Sequence, residues 1–131
     1  MKKIIVGYDG TDTAKSALAL AKEHAIAFYA KIYVVQSLMG GEGTKVEEIK
    51  AAEDGLEDAK GILEKDNIPC ETHLLIRGMM PGEDLVQFAK DNEADEIILG
   101  VRRRSKVGKL MFGSTAQYVI LEAACPVVTV K

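Results

Sequence analysis

Five short apolar runs, each separated from the next by a stretch of helical periodicity, limit what this chain can fold into more than any other feature. The runs are Lys3-Ile4-Ile5-Val6-Gly7-Tyr8, Ile32-Tyr33-Val34-Val35, Thr72-His73-Leu74-Leu75-Ile76, Glu96-Ile97-Ile98-Leu99-Gly100-Val101 and Val127-Val128-Thr129-Val130. Most are nearly unbroken β-branched or aliphatic segments, the pattern of strands buried on both faces. Between the first two, Ala14, Ala17, Leu18, Ala21, Ala25 and Phe28 recur at the spacing of one helical face, and Thr11 or Asp12 can cap that helix. Val46, Ile49, Ala52, Leu56, Ala59 and Leu63 form a second stripe. Pro81 fits the first turn of a third helix carrying Leu85, Phe88 and Ala89, and a fourth runs from Ser114 to Ala124 until Pro126 stops it. Strands alternating with helices require right-handed crossovers, which give an α/β fold: a three-layer α/β/α sandwich around a five-stranded parallel sheet. Ligands in such a sheet bind beyond the carboxyl ends of the strands, so the loops to inspect begin at Asp9, Ser37, Arg77 and Gly100.

A length of 131 residues fits one domain spanning 1–131, large enough to form a core without disulfides. With no Trp and few aromatics, that core must be built from Val, Ile, Leu and Ala. Cys70 and Cys125 belong to no CxxC pair, and His24 and His73 stand at no metal-ligand spacing from them. Free thiols in a reducing, cytoplasmic setting are the expectation. The apolar run at the N-terminus stops at Gly7, too short for a signal peptide, and nothing reaches the length of a membrane span. His24 and His73 have no carboxylate or hydroxyl partner evident in the sequence, so both are expected to serve packing.

The net charge of −3 is unevenly spread. Between Ile97 and Leu121 stand five basic residues, Arg102, Arg103, Arg104, Lys106 and Lys109, and no acidic one. The rest of the chain carries 12 basic and 20 acidic residues. A basic island on an acidic body points to a local anion site, and the lack of aromatics from Arg102 to Met111 argues against a nucleic-acid surface. The island lies in the loop after the fourth strand, which ends in Gly113-Ser114 at a helix start. First-turn N–H groups have no intrahelical partner, glycine admits close approach to the backbone, and a hydroxyl adds a donor. Such a loop can cradle an anion; equally, Gly113 or Ser114 can simply cap a helix beside a solvated basic face. A Walker P-loop is excluded, because Gly108-Lys109 is followed by Leu110 and no glycine stands at the required distance upstream.

Gly100, Gly113 and Ser114 match the spacing of a nucleotide motif in which Gly, two residues, Gly, nine residues and Gly precede Ser or Thr. With the first strand ending at Asp9, the long middle helix and the Cys125-Pro126-Val127-Val128 ending, the whole chain resembles the universal stress protein family. Arg103 stands where the motif has its second glycine. Its Cβ can obstruct the backbone approach, or its guanidinium can face the phosphates. The resemblance implies strand order 3-2-1-4-5, with Asp9 and Gly100 on one rim, and an adenine nucleotide as ligand: ATP, or ADP or AMP, with Mg²⁺ carried by the nucleotide. It implies that Asp9 contacts the adenosine end, that the backbone at Ser37 meets adenine, and that Gly78 lies near the ligand. Gly100, Gly113 and Ser114 would meet the phosphates, with Arg102, Arg103 and Lys109 supplying charge. It further implies a stress-response regulator acting through ligand-dependent partners and a homodimer paired through Val127 to Val130, an edge that Val128→Pro is expected to disrupt. The alternatives are a nucleotide-free dimeric interaction module and a slow ATPase, for which the sequence names no general base. A phosphorylated receiver is disfavoured because the third strand ends at Ile76-Arg77-Gly78 rather than at an Asp.

Overall fold

The computed structural model describes residues 1–101 and 113–131. Strands β1 (Lys2–Gly7), β2 (Ala30–Leu38), β3 (Cys70–Ile76), β4 (Glu96–Gly100) and β5 (Val127–Val130) form one sheet in the order β3-β2-β1-β4-β5. Every neighbouring pair is parallel. The expected order therefore holds, and β1 stands at the centre, where the chain's crossovers change direction. Helices α1 (Asp12–Phe28), α2 (Val46–Lys65), α3 (Pro81–Asp91) and α4 (Ser114–Glu122) make the connections.

Two cores follow from the strand period of two. Ile4, Val6, Ile32, Val34 and Ile98 face α1 and α2, meeting Ala17, Leu18, Ala21, Leu56, Ala59 and Leu63. Ile5, Tyr33, Val35, Ile97 and Leu99 face the other way, onto Leu85, Phe88 and Ala89 of α3 and Val119 of α4. Alanines dominate the buried stripe of α1, so that helix lies close to the sheet. Both stripes overrun at one end: Phe28 at the end of α1 and Val46 at the start of α2 are exposed. Tyr29, at φ 56°, closes α1 in the left-handed conformation and turns the chain into β2.

The histidines depart from expectation. His24 Nδ1 lies 2.7 Å from Glu96 Oε1, and His73 Nε2 lies 3.0 Å from Glu71 Oε1. Glu96 comes from a strand 72 residues away from His24, a pairing the linear pattern does not display, whereas Glu71 stands two residues before His73 on the same face of β3. Both cysteines are half-buried free thiols, and burial raises the pKa of each. Among the described residues no helix is long and apolar enough to cross a membrane.

Candidate nucleotide site

A cavity of about 470 Å³ opens beyond the carboxyl ends of β1, β2 and β4. Asp9, Ser37, Gly100, Gly113 and Ser114 all line it, so five of the residues singled out in the sequence come together from three separate connections. Gly78 does not line it; the residue turns the chain at φ 70° between β3 and α3. Arg102, Arg103 and Lys109 lie outside the described residues. Neither Met39 nor Met80 lines the cavity, and both are exposed. A smaller cavity of about 260 Å³ adjoins it, sharing Asp9 and Gln36 and bounded by Glu48 and Ala51 of α2.

The first rim is the turn from β1 into α1. Asp9 Oδ1 accepts hydrogen bonds from the Thr11 backbone N–H at 3.1 Å and the Thr11 hydroxyl at 2.6 Å. Thr11 Oγ1 in turn accepts from the Ala14 backbone N–H at 3.3 Å and caps α1. The carboxylate is thus fixed through one oxygen, while Oδ2 has no hydrogen bond among the described residues. Tyr8, buried beneath it, has a raised pKa, first from burial and then from the negative charge of Asp58 and Asp9. Its phenol stays protonated and remains a donor.

The second rim is the end of β2. The Tyr8 N–H donates to the Val35 carbonyl at 2.8 Å, so residue 35 faces β1. Ile32, an odd number of residues away, donates instead toward β3, to the Pro69 carbonyl at 2.9 Å. The two-residue period therefore turns the N–H and C=O of Ser37 toward β1 as well. There β1 has already left the sheet, since its last paired residue is Gly7, opposite Val35. Among the described residues no strand takes this donor and acceptor, which stand side by side at the cavity.

Behind Ser37 lies a cluster that the sequence reading missed. Ser37 Oγ donates to Asp84 Oδ2 at 2.7 Å, and Arg77 Nε donates to Asp84 Oδ1 at 2.7 Å. Arg77 Nη2 also reaches Oδ1 and the Asp84 carbonyl. Asp84 is wholly inaccessible to solvent. The available signal was an Asp at a stripe position, since Pro81, Asp84, Leu85 and Phe88 share one helical face. A carboxylate there must find a buried cation or hydroxyl.

The third rim joins β4 to α4. Gly113 is the N-cap residue of α4, in an extended conformation and with no side-chain cap. The first-turn N–H groups of α4 thus face the cavity side with their positive potential uncancelled by a capping side chain. A Cβ added at Gly113 would meet no described atom within 4 Å. At Gly100 the opposite holds: a Cβ would lie 2.4 Å from the Thr13 carbonyl carbon. Glycine at position 100 lets β4 pass directly under the start of α1. Among the described residues, no group of three or more His, Cys, Asp or Glu side chains is arranged to hold a metal ion.

Comparison with known proteins agrees with this architecture. The family model described as the universal stress protein family matches residues 1–131. A universal stress protein of Thermus aquaticus is 36% identical over 136 residues, covering 99% of this chain and 98% of its own length. The solved structure of a universal stress protein from Archaeoglobus fulgidus superposes with a TM-score of 0.91 at 41% identity, covering 100% of this chain and 98% of that one. A second structure described as the universal stress protein from Archaeoglobus fulgidus, in complex with dAMP, gives a TM-score of 0.84 at 37% identity, again over 100% of this chain and 98% of that one. On its match across residues 1–131, this chain belongs to the universal stress protein family.

Proposed function

We propose that the cavity binds an adenine nucleotide and that the protein acts as a nucleotide-dependent regulator in a stress response, engaging partners according to occupancy. The observation that carries this reading is the convergence on one cavity of an unpaired backbone rung at Ser37 and an open helix start at Gly113-Ser114. The rung offers a donor beside an acceptor, which suits the N1 and amino edge of adenine. The helix start suits phosphate. Asp9, held by Thr11, offers a carboxylate oxygen for a ribose hydroxyl between them. The dAMP carried by the related Archaeoglobus fulgidus protein has the same three parts, apart from its missing 2′-hydroxyl. The basic residues Arg102, Arg103 and Lys109 add charge to the phosphate end, with Mg²⁺ entering on ATP. β5 ends the sheet, so its outer edge can pair with a second copy as a homodimer.

Calorimetric titration with ATP and with adenosine, on protein stripped of small molecules, tests the site. Wild type is expected to bind ATP more tightly than adenosine. Gly113→Val is expected to lose that advantage while keeping its fold, because the backbone at φ −65° and ψ 164° accepts a β-branched residue and no described atom crowds the position. A wild type that binds neither ligand rejects the reading and favours a nucleotide-free interaction module. Equal binding of the two would retain a pocket but remove the phosphate cradle.

A further inference from the structure

The hydroxyl of Ser37 is polarised by its surroundings in a way that an ordinary serine is not. An ionised carboxylate can only accept hydrogen bonds, and Arg77 already occupies Asp84 Oδ1. The remaining oxygen, Oδ2, takes the one proton that Ser37 Oγ has to give, at 2.7 Å. Asp84 is completely buried, so no water substitutes for that proton, and rotating the hydroxyl away would leave a buried carboxylate oxygen unpaired. Ser37 Oγ is therefore held as an acceptor. Ser37 lines the cavity, and its C=O and N–H are the rung left unpaired by the departure of β1.

We propose that Asp84 and Arg77 are positioning residues that lock the Ser37 hydroxyl as an acceptor, and that this lock makes the site select a 6-amino purine over a 6-oxo purine. The inference rests on the adenine-nucleotide reading of the cavity. A 6-amino purine presents an amino donor beside a ring acceptor. A 6-oxo purine presents the reverse, a carbonyl acceptor beside a ring N–H. A freely rotating serine would serve both, donating to one and accepting from the other. The locked hydroxyl accepts only, so its lone pairs oppose the 6-oxo group.

Asp84→Asn separates this from a purely structural role. Arg77 offers only donors, so it draws the carboxamide oxygen toward itself and turns the carboxamide NH₂ toward Ser37. Ser37 Oγ then accepts from the Asn, and its proton is released to the cavity. Titration with AMP and IMP should show wild type preferring AMP by about tenfold or more, the scale of one mispaired polar group. In Asp84→Asn the preference should fall by about tenfold, with IMP binding more tightly than it does to wild type. Ser37→Ala should reduce the preference through weaker AMP binding, leaving the part set by the backbone rung, and Ser37→Thr, which keeps the hydroxyl, should restore it. These serine variants carry the test even where Asp84→Asn fails to fold. An AMP preference unchanged in Ser37→Ala assigns selectivity to the backbone rung alone and overturns the proposal. Equal binding of AMP and IMP by wild type overturns it while the nucleotide site stands. A wild type that binds neither overturns the site itself and the selectivity with it.

Discussion

Gly100, the first glycine of the nucleotide motif, also meets a packing requirement set by α1. A Cβ there would stand 2.4 Å from Thr13 C, 2.5 Å from Thr13 O and 2.8 Å from Ala14 N, all backbone atoms of α1. Backbone cannot swing aside as a side chain tip can, so Gly100→Ala must push the start of α1 off β4. Overpacking of this kind costs about 1–3 kcal/mol. A urea titration should show the midpoint falling with the slope unchanged, and nucleotide affinity should fall with it because Asp9 rides on the displaced turn. An unchanged midpoint would mean that α1 shifts without cost. Residue-level legibility divides along the same line. Asp9, Ser37, Gly100, Gly113 and Ser114 were visible because each sits where a strand ends or a helix begins, and those positions are set by local pattern. Asp84 was not visible as a partner of Ser37, because 47 residues and a strand crossover separate them. His24 and Glu96, 72 residues apart, failed for the same reason.

Elements were more legible than contacts, because each is specified by its own period. All five apolar runs are strands and all four stripes are helices, with differences confined to ends. β3 starts two residues before its apolar run, at Cys70, because it pairs with only one neighbour and its residues are half-buried rather than enclosed. The sequence offers Thr11 or Asp12 as the cap of α1, and the structure selects Thr11. Thr11→Ala removes the hydroxyl that both caps α1 and donates to Asp9. A loss of about 1 kcal/mol is expected, read as a fall of roughly 4 °C in Tm by calorimetry. An unchanged Tm would show that the Asp9 turn holds without the cap. On the outer strand, Glu71 has a lowered pKa, first from its hydrogen bond with Lys31 and then from that with His73. A carboxylate stabilised in its ionised form by folding contributes stability above its ordinary value of 4.5 and loses it as pH falls through the lower folded value. Glu71→Gln should therefore flatten the acid side of the stability profile below pH 4.5. A variant with the same acid slope as wild type would place that pH dependence on other carboxylates.

At the scale of the whole molecule, the question is what covers the free edge of β5. The direction of its hydrogen bonds decides how to ask it. Ile97 N–H donates to the Pro126 carbonyl at 3.0 Å and Val101 N–H to the Val130 carbonyl at 2.7 Å. Residues 126 and 130 therefore face β4, and by the two-residue period Val128 does too. Val127 and Thr129 present their N–H and C=O groups outward. Val128→Pro, the substitution suggested by the sequence, would thus cut the ladder to β4 and damage the fold rather than the edge. Thr129→Pro is the appropriate probe: Thr129 is exposed, and proline is tolerated in a strand whose N–H faces away from the sheet. If two copies pair through β5, light scattering on wild type should give twice the 14.2 kDa chain mass. Thr129→Pro should move the population toward monomer at unchanged far-ultraviolet circular dichroism. Val128→Pro should lower Tm whether or not the protein dimerises, because Val128 stands opposite Ile98 in the β4 ladder. A Thr129→Pro variant that keeps both its fold and twice the chain mass would move the interface off the sheet edge. The next surface to probe would then be the exposed face of α4 at Tyr118, Ile120 and Leu121. Because α4 begins at Gly113-Ser114, an interface on that helix would join nucleotide occupancy to assembly through a single element, whereas an edge at β5 reaches the cavity through β4 and through α1, which packs on Val128 and Val130.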